Sequence, residues 1–170
     1  MNRTEFWNLI DTARTATNDD PDAQSEHLTT LLKDFPDEEL ISFHEHFYTL
    51  YNPTYRADLW GAAYILNGGC SDDGFDYFRA WLIGRGQAAY DAALVNPDSL
   101  AEVTDDDFAE QEDLLQITMG IWLKRKNKTW GDDTPFPHIP QPDLIGDLAD
   151  WDEDEEKLEK LYPRLFAKFG

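Results

Sequence analysis

The residues best placed to do chemistry lie in one short run, Gly68-Gly69-Cys70-Ser71-Asp72-Asp73-Gly74. Two adjacent glycines let the backbone take positive φ and approach a ligand closely. Ser71 is placed to cap a following helix, whose free N–H groups would attract an anion. Asp72 and Asp73 occupy that first turn themselves, so they complement the helix dipole from within and repel a phosphate. The run also lacks the Gly-x-x-x-x-Gly-Lys pattern of a phosphate loop. With Asp76 one turn on, Asp72 and Asp73 offer oxygens to magnesium or calcium, and a divalent cation is the one cofactor these residues suit. Consecutive helical side chains diverge by about 100°, so both acids serve one ion only if one is still in the turn. The plainer reading is a tight helix–helix corner with capping acids.

Cys70 precedes a helix start, a setting that lowers a thiol's pKa, but the neighbouring acids oppose thiolate formation and no histidine lies near in sequence. A small, buried cysteine is expected. His44 and His46 are two residues apart, face opposite ways on a helix and cannot chelate together, and His44, one turn from Leu40 and beside Phe43, is expected to be partly buried. No His-Glu-x-x-His or Gly-x-Ser-x-Gly pattern is present, which weighs against an enzyme. Arg56, Asp58, Asp76 and Arg79 fall among aromatic residues, where a charge must be paired. Asp76 and Arg79 are spaced to pair along one helix face, and Asp58 with Arg79 across two helices is the alternative. A structural ion pair is the plainer account of these charges; for a ligand, Arg56, Asp58, Ser71, Asp72, Asp73 and Arg79 are the candidate binding residues, with Asp72, Asp73 and Asp76 as the candidate metal ligands.

The elements that must position these groups read as helices. Thr4 is expected to cap a first helix bearing Phe6, Trp7, Ile10 and Ala13, broken at Asn18-Asp19-Asp20-Pro21. A second helix, with Leu28, Leu31, Leu32 and Phe35, ends at Pro36. A third, with Leu40, Phe43, Phe47, Leu50 and Tyr51, closes at Asn52-Pro53. Leu59–Leu66 is apolar or small throughout and Phe75–Ile83 nearly so, the mark of elements buried on all sides. Periodicity does not separate buried helix from buried strand there. Ala62-Ala63 and the scarcity of Val and Ile favour two central helices, over 54–66 and 72–84. A short helix through Tyr90 and Leu94 should end near Asn96-Pro97, and Asp98-Ser99-Leu100 starts a further turn. Thr104-Asp105-Asp106-Asp107 has the signs of a strong helix start, leading through Phe108, Leu114 and Ile117 to Trp122 and Lys124-Arg125-Lys126. Four prolines between Thr129 and Pro142 make an irregular connection, a functional loop or a surface strap. A tail from Asp147 to Gly170 is acidic, then helical, with Pro163 kinking or splitting it.

The fold class that follows is all-α: one compact multi-helix domain with a helical core over 1–128, a Pro-rich connection over 129–146 and an acidic C-terminal helical tail over 147–170 packed on the same domain. The means for a core are ample, with 6 Trp, 10 Phe and 7 Tyr in 170 residues. Fourteen Lys and Arg against 35 Asp and Glu give a formal net charge of −21. Such a surface repels phosphate backbones and anionic lipid, so direct nucleic-acid or membrane-surface binding is disfavoured. A protein partner of basic character is the expected complement. The single cysteine leaves no disulfide, no run is long enough to span a bilayer, and Met1–Trp7 has no signal-peptide stretch, so a cytoplasmic address is expected.

The stretch Leu59–Phe75, continuing through Tyr77-Phe78-Arg79-Ala80-Trp81-Leu82-Ile83, resembles the signature of a bacterial family known as domain of unknown function 4240. The opening Phe6-Trp7 helix and Asn96-Pro97-Asp98-Ser99-Leu100 resemble its pattern too, and the likeness runs over about residues 1–125. It implies a small bacterial cytoplasmic protein. Some relatives carry the domain beside a WGR module in proteins described as regulators, which implies regulation or binding. It carries over no activity and no catalytic residue. The leading expectation is an acidic helical binding or regulatory module. The alternatives are a metal-assisted hydrolase using Asp72, Asp73 and Asp76 with His44 or Tyr64 as proton carrier, and an acidic mimic of nucleic acid whose 98–113 and 147–159 charges share a face.

Overall fold

A computed structural model describes residues 1–170. Nine α-helices follow in order: α1 (Arg3–Ala16), α2 (Pro21–Leu32), α3 (Asp37–Tyr51), α4 (Ala57–Leu66), α5 (Asp72–Gly84), α6 (Gln87–Val95), α7 (Asp113–Arg125), α8 (Glu155–Leu161) and α9 (Pro163–Phe169). Short 3-10 turns lie at Asn52–Thr54, Pro97–Glu102 and Leu148–Asp150. The all-α expectation holds; the only bridge of β type is a single parallel pairing of Arg56 with Ile145. No helix is long and apolar enough to cross a membrane.

The two central helices are α4 and α5, and both are helical rather than extended. Almost every residue of α4 is buried, as its lack of a polar face requires. Rings stack along the joint: Trp60 on Phe75 at 4.5 Å between centroids, then Phe75 on Phe78 at 6.0 Å and Phe78 on Trp81 at 5.7 Å. Gly68 (φ +61°) and Gly69 (φ +128°) turn the chain between the helices in a conformation that only glycine adopts freely. The tail joins the same core. Tyr162 donates to the Asp58 carbonyl at 2.8 Å, and Leu165 is fully buried. A Cβ on Gly61 would stand 2.6 Å from the Tyr162 hydroxyl, so α4 is bare where the tail crosses it. Pro163 splits the tail into α8 and α9, and buried Asp98 caps α9 by accepting from the amides of Arg164 (3.0 Å) and Leu165 (2.9 Å).

Two local expectations are corrected. The cap of α1 is Asn2, not Thr4: Asn2 Oδ1 accepts from the Glu5 amide at 3.0 Å and Glu5 returns the bond to the Asn2 amide at 2.7 Å, a complete capping box. Asn2→Ala is accordingly expected to cost about 1 kcal/mol in urea unfolding, and Thr4→Ala only a few tenths. Equal losses would return the cap to Thr4. The second correction concerns Thr104-Asp105-Asp106-Asp107, where no helix begins; α7 starts at Asp113, and Phe108 is 63% exposed. Residues 103–112 cross the core edge as an irregular strap, held by bonds that a helix would break. The Ala109 amide donates to Asn67 Oδ1 at 2.8 Å and the Gln111 amide to the Tyr77 carbonyl at 3.1 Å. The buried Gln111 side chain donates to the Pro21 carbonyl at 2.8 Å. Tertiary pairing of buried polar groups overrides the local capping signal.

Helix α7 lies between α2 and α3. Gln111 meets the start of α2 through Pro21, and Arg125 meets its end through the carbonyls of Leu32 and Lys33, so the two run parallel. Arg125 (2.8 Å) and Lys126 (2.6 Å) also clasp Asp37 at the start of α3, which therefore runs antiparallel to α7. These bonds hold the Asp37 carboxyl below its usual range, Lys126 most and Arg125 next.

Candidate functional site

The sequence candidates fall into three settings. Arg79 is 0% exposed. Its Nη1 donates to Asp76 Oδ1 at 2.7 Å, its Nε to Thr54 Oγ1 at 3.2 Å and its Nη2 to the Tyr51 carbonyl at 3.4 Å. Its guanidinium lies 3.7 Å from the Tyr51 ring centroid and 4.7 Å from that of Tyr55. Burial lowers its pKa, with Tyr51, Asp76 and Tyr55 opposing the change. Of the two pairings left open by spacing, the structure takes Asp76–Arg79. Asp58 instead pairs with Arg56, whose Nε donates to Asp58 Oδ1 at 2.9 Å, whose Nη2 meets Oδ2, and whose Nη1 donates to the Leu94 carbonyl at 2.8 Å. This clasp borders a hollow of about 510 Å³ shared with Ile145, Gly146 and Asp150.

Ser71 caps α5 by accepting from the Gly74 amide at 3.1 Å, and Asp72 and Asp73 lie exposed in its first turn. The bend sits on the Trp60–Phe75 stack, and the Trp60 indole donates to the Cys70 carbonyl at 3.1 Å. Burial, then the charges of Glu110 and Asp72, push the Cys70 thiol up to about 12, so it stays protonated at neutral pH. Asp76 is turned to Arg79, and no three His, Cys, Asp or Glu side chains converge as a metal cage. His44 and Tyr64, the proposed proton carriers, are engaged elsewhere: Tyr64 packs on Trp151 at 5.5 Å, and His44 faces α7. Part of the 98–113 acidity is paired with the tail, Glu102 with Arg164 and Asp105 with Lys168.

Besides the hollow bordered by Arg56 and Asp58, residues of α3, α7 and the Pro-rich strap converge on another. The strap is pinned by Phe136, which is buried against His44 (4.6 Å) and Trp122 (5.3 Å). Its other ties are the Trp122 indole to Thr134 Oγ1 at 2.9 Å and Asn52 Nδ2 to the Pro140 carbonyl at 3.3 Å. Its far end docks on the start of α4, the Ala57 amide donating to the Ile145 carbonyl at 2.8 Å. Between strap and helices is a hollow of about 550 Å³, with His44 and Tyr48 from α3, Leu115 and Met119 from α7, and Trp130, His138 and Ile139 from the strap.

His44 forms the rigid wall. Its Nε2 lies 3.1 Å from the Pro137 carbonyl, which can only accept, so Nε2 carries the proton. Nδ1 therefore accepts from the Thr118 hydroxyl at 2.9 Å. Burial pushes the ring's pKa down to about 4, against the Pro137 carbonyl, which raises it. His44 is thus neutral and fully bonded at neutral pH, an orienting group rather than a free base. Trp130 is 61% exposed, a large ring left bare at the rim. Sequence reasoning singled out His44 for partial burial and 129–142 as loop or strap, but missed Met119, Trp130 and His138. The available signal was an isolated Trp beside a proline-rich stretch.

A family model described as "Protein of unknown function (DUF4240)" matches residues 1–121. No curated protein and no solved structure matches the chain.

Proposed function

We propose, for a chain that belongs to the DUF4240 family, that it works as an acidic helical binding module whose recognition hollow lies between α3, α7 and the Pro-rich strap. The observation that carries this reading is the hollow itself. Its volume of about 550 Å³ falls in the range of small-ligand sites, and its lining mixes apolar groups with a few fixed polar ones. Leu115, Met119 and Ile139 offer apolar contact and Met119 adapts its shape to a guest. His44 and the strap hold the walls in place. The reading also uses the charge: a chain at −21 favours a partner of basic character.

The test uses synthetic dodecapeptides on a Gly-Ser background, one with two central leucines and one with none. The leucine peptide should shift the Met119 methyl and Trp130 indole resonances at millimolar concentration, and Met119→Lys should abolish the Trp130 shift. Leucine and blank peptides that act alike would remove the reading.

A further inference from the structure

A second hollow, of about 300 Å³, lies on the other flank of α7, between that helix and α2. It shares Gln116 and Trp130 with the first, so the two hollows adjoin at these residues and are taken together as a groove across α7. The second hollow differs in chemistry. Glu26 and Asp113 stand on it, with Lys124 at one end, and Glu112 is close by, accepting from Gln116 Nε2 at 3.2 Å. Its hydroxyls are already committed, Ser25 to the Pro21 carbonyl at 3.0 Å and Thr29 to the Ser25 carbonyl at 2.9 Å.

Gly120 also lines this hollow. It sits inside α7, where glycine costs about 1 kcal/mol relative to alanine. The fold gives no packing reason for it, since a Cβ there would meet nothing within 4 Å. Leaving out the side chain keeps the hollow open.

Building on the binding reading above, we infer that the groove takes an extended basic segment of a protein partner, seating an apolar side chain in the first hollow and a lysine or arginine in the second. Charge complementarity selects the occupant: carboxylates outnumber the single lysine around the second hollow, and the chain as a whole stands at −21. The exposed Trp130 face adds attraction for a cation held above it. The two hollows flank one helix, roughly 10 Å across, and an extended chain advances about 3.3 Å per residue, so the two anchor residues stand about three apart.

The experiment adds to the two-leucine peptide a single residue three positions on, lysine, glutamine or glutamate, and measures affinity by calorimetry and Trp130 shifts at low and high salt. The lysine peptide should bind about tenfold tighter than the glutamine one, with glutamate weakest and the differences shrinking at high salt. Gly120→Leu, which fills the second hollow and suits a helix, should erase the lysine preference while leaving leucine binding intact. Equal affinities for lysine and glutamate, or a lysine preference that survives Gly120→Leu, would overturn the inference and leave the first hollow's reading standing. Loss of all leucine-dependent shifts is the separate failure of that reading. A concentration-dependent dimer abolished by Gly120→Leu would assign the groove to a second copy of the chain and overturn the inference as well.

Discussion

Arg79→Ala is expected to lower unfolding free energy by about 3–5 kcal/mol, the range for emptying a large, fully buried site. The guanidinium is 0% exposed and sits on the Tyr51 ring, so its removal leaves a cavity at the junction of α3 and α5. It also removes the donors that reach Thr54 Oγ1 and the Tyr51 carbonyl. Asp76, whose side chain is 37% exposed, can turn to water, so its loss of a partner is the smaller part of the effect. Arg79→Met separates the two contributions. It restores most of the volume without the charge and should recover about half of the loss. Urea denaturation midpoints of the three proteins give the comparison. An alanine variant within 1 kcal/mol of the parent would mean that the guanidinium is dispensable to the fold. A methionine variant as damaged as the alanine one would place the effect in the guanidinium's charge and hydrogen bonds and not in packing.

The second expected effect is a pH dependence set by His44. Its folded pKa, about 4, lies below the ordinary value of 6.5 because burial disfavours the charged ring. The unfolded chain therefore binds a proton at higher pH than the folded one. The stability from keeping the ring neutral is fully present above about pH 6.5 and is lost as pH falls from there towards 4. The loss should reach about 2 kcal/mol by pH 5. His44→Gln has nothing to titrate and should lack this part of the slope. Thermal or urea unfolding of both proteins at pH 7, 6 and 5 reads the difference directly, with other titrating groups common to the pair. Parallel curves would show that the ring is not held neutral by the Phe136 strap and α7. Because the same ring walls the hollow between α3, α7 and the strap, acidification should loosen the strap before the rest of the core.

Where these two groups sit explains why one was readable from sequence and the other only in part. Arg79 and Asp76 are three apart on one helix, and a charge within an apolar helix has few ways to be satisfied. Spacing offers this pairing beside Asp58–Arg79, and the structure takes the local one. The burial of α4 and α5 is local too, since a run apolar on every side is buried on every side whatever its neighbours are, while their helical character rests on Ala62-Ala63 and the scarcity of Val and Ile. The Ser71 cap, the break at Asn18–Asp20, and the split at Pro163 are equally local, each following from backbone geometry within a few residues.

His44 shows the limit. Its burial was suggested by Leu40 and Phe43, but its partners Thr118 and Pro137 lie 74 and 93 residues away. No spacing rule reaches that far. The failed helix start at Thr104 has the same cause in reverse: the local signal was sound, and distant partners at Asn67, Tyr77 and Pro21 outweighed it.

Residue types and their periods by themselves settled the all-α class, the buried central pair, most helix limits and the acidic surface, because these depend on contacts within a turn or two or on simple totals. Only the tertiary structure decided which groups share a hollow. Trp130, Met119 and His138 come together, with Gly120 in the adjoining hollow, because α7 is wedged between α2 and α3 and the strap is pinned at Phe136. Such convergence depends on long-range packing and on where each chain segment finds partners for its buried polar groups. Those choices are made by the whole core at once and leave no periodic trace along the chain.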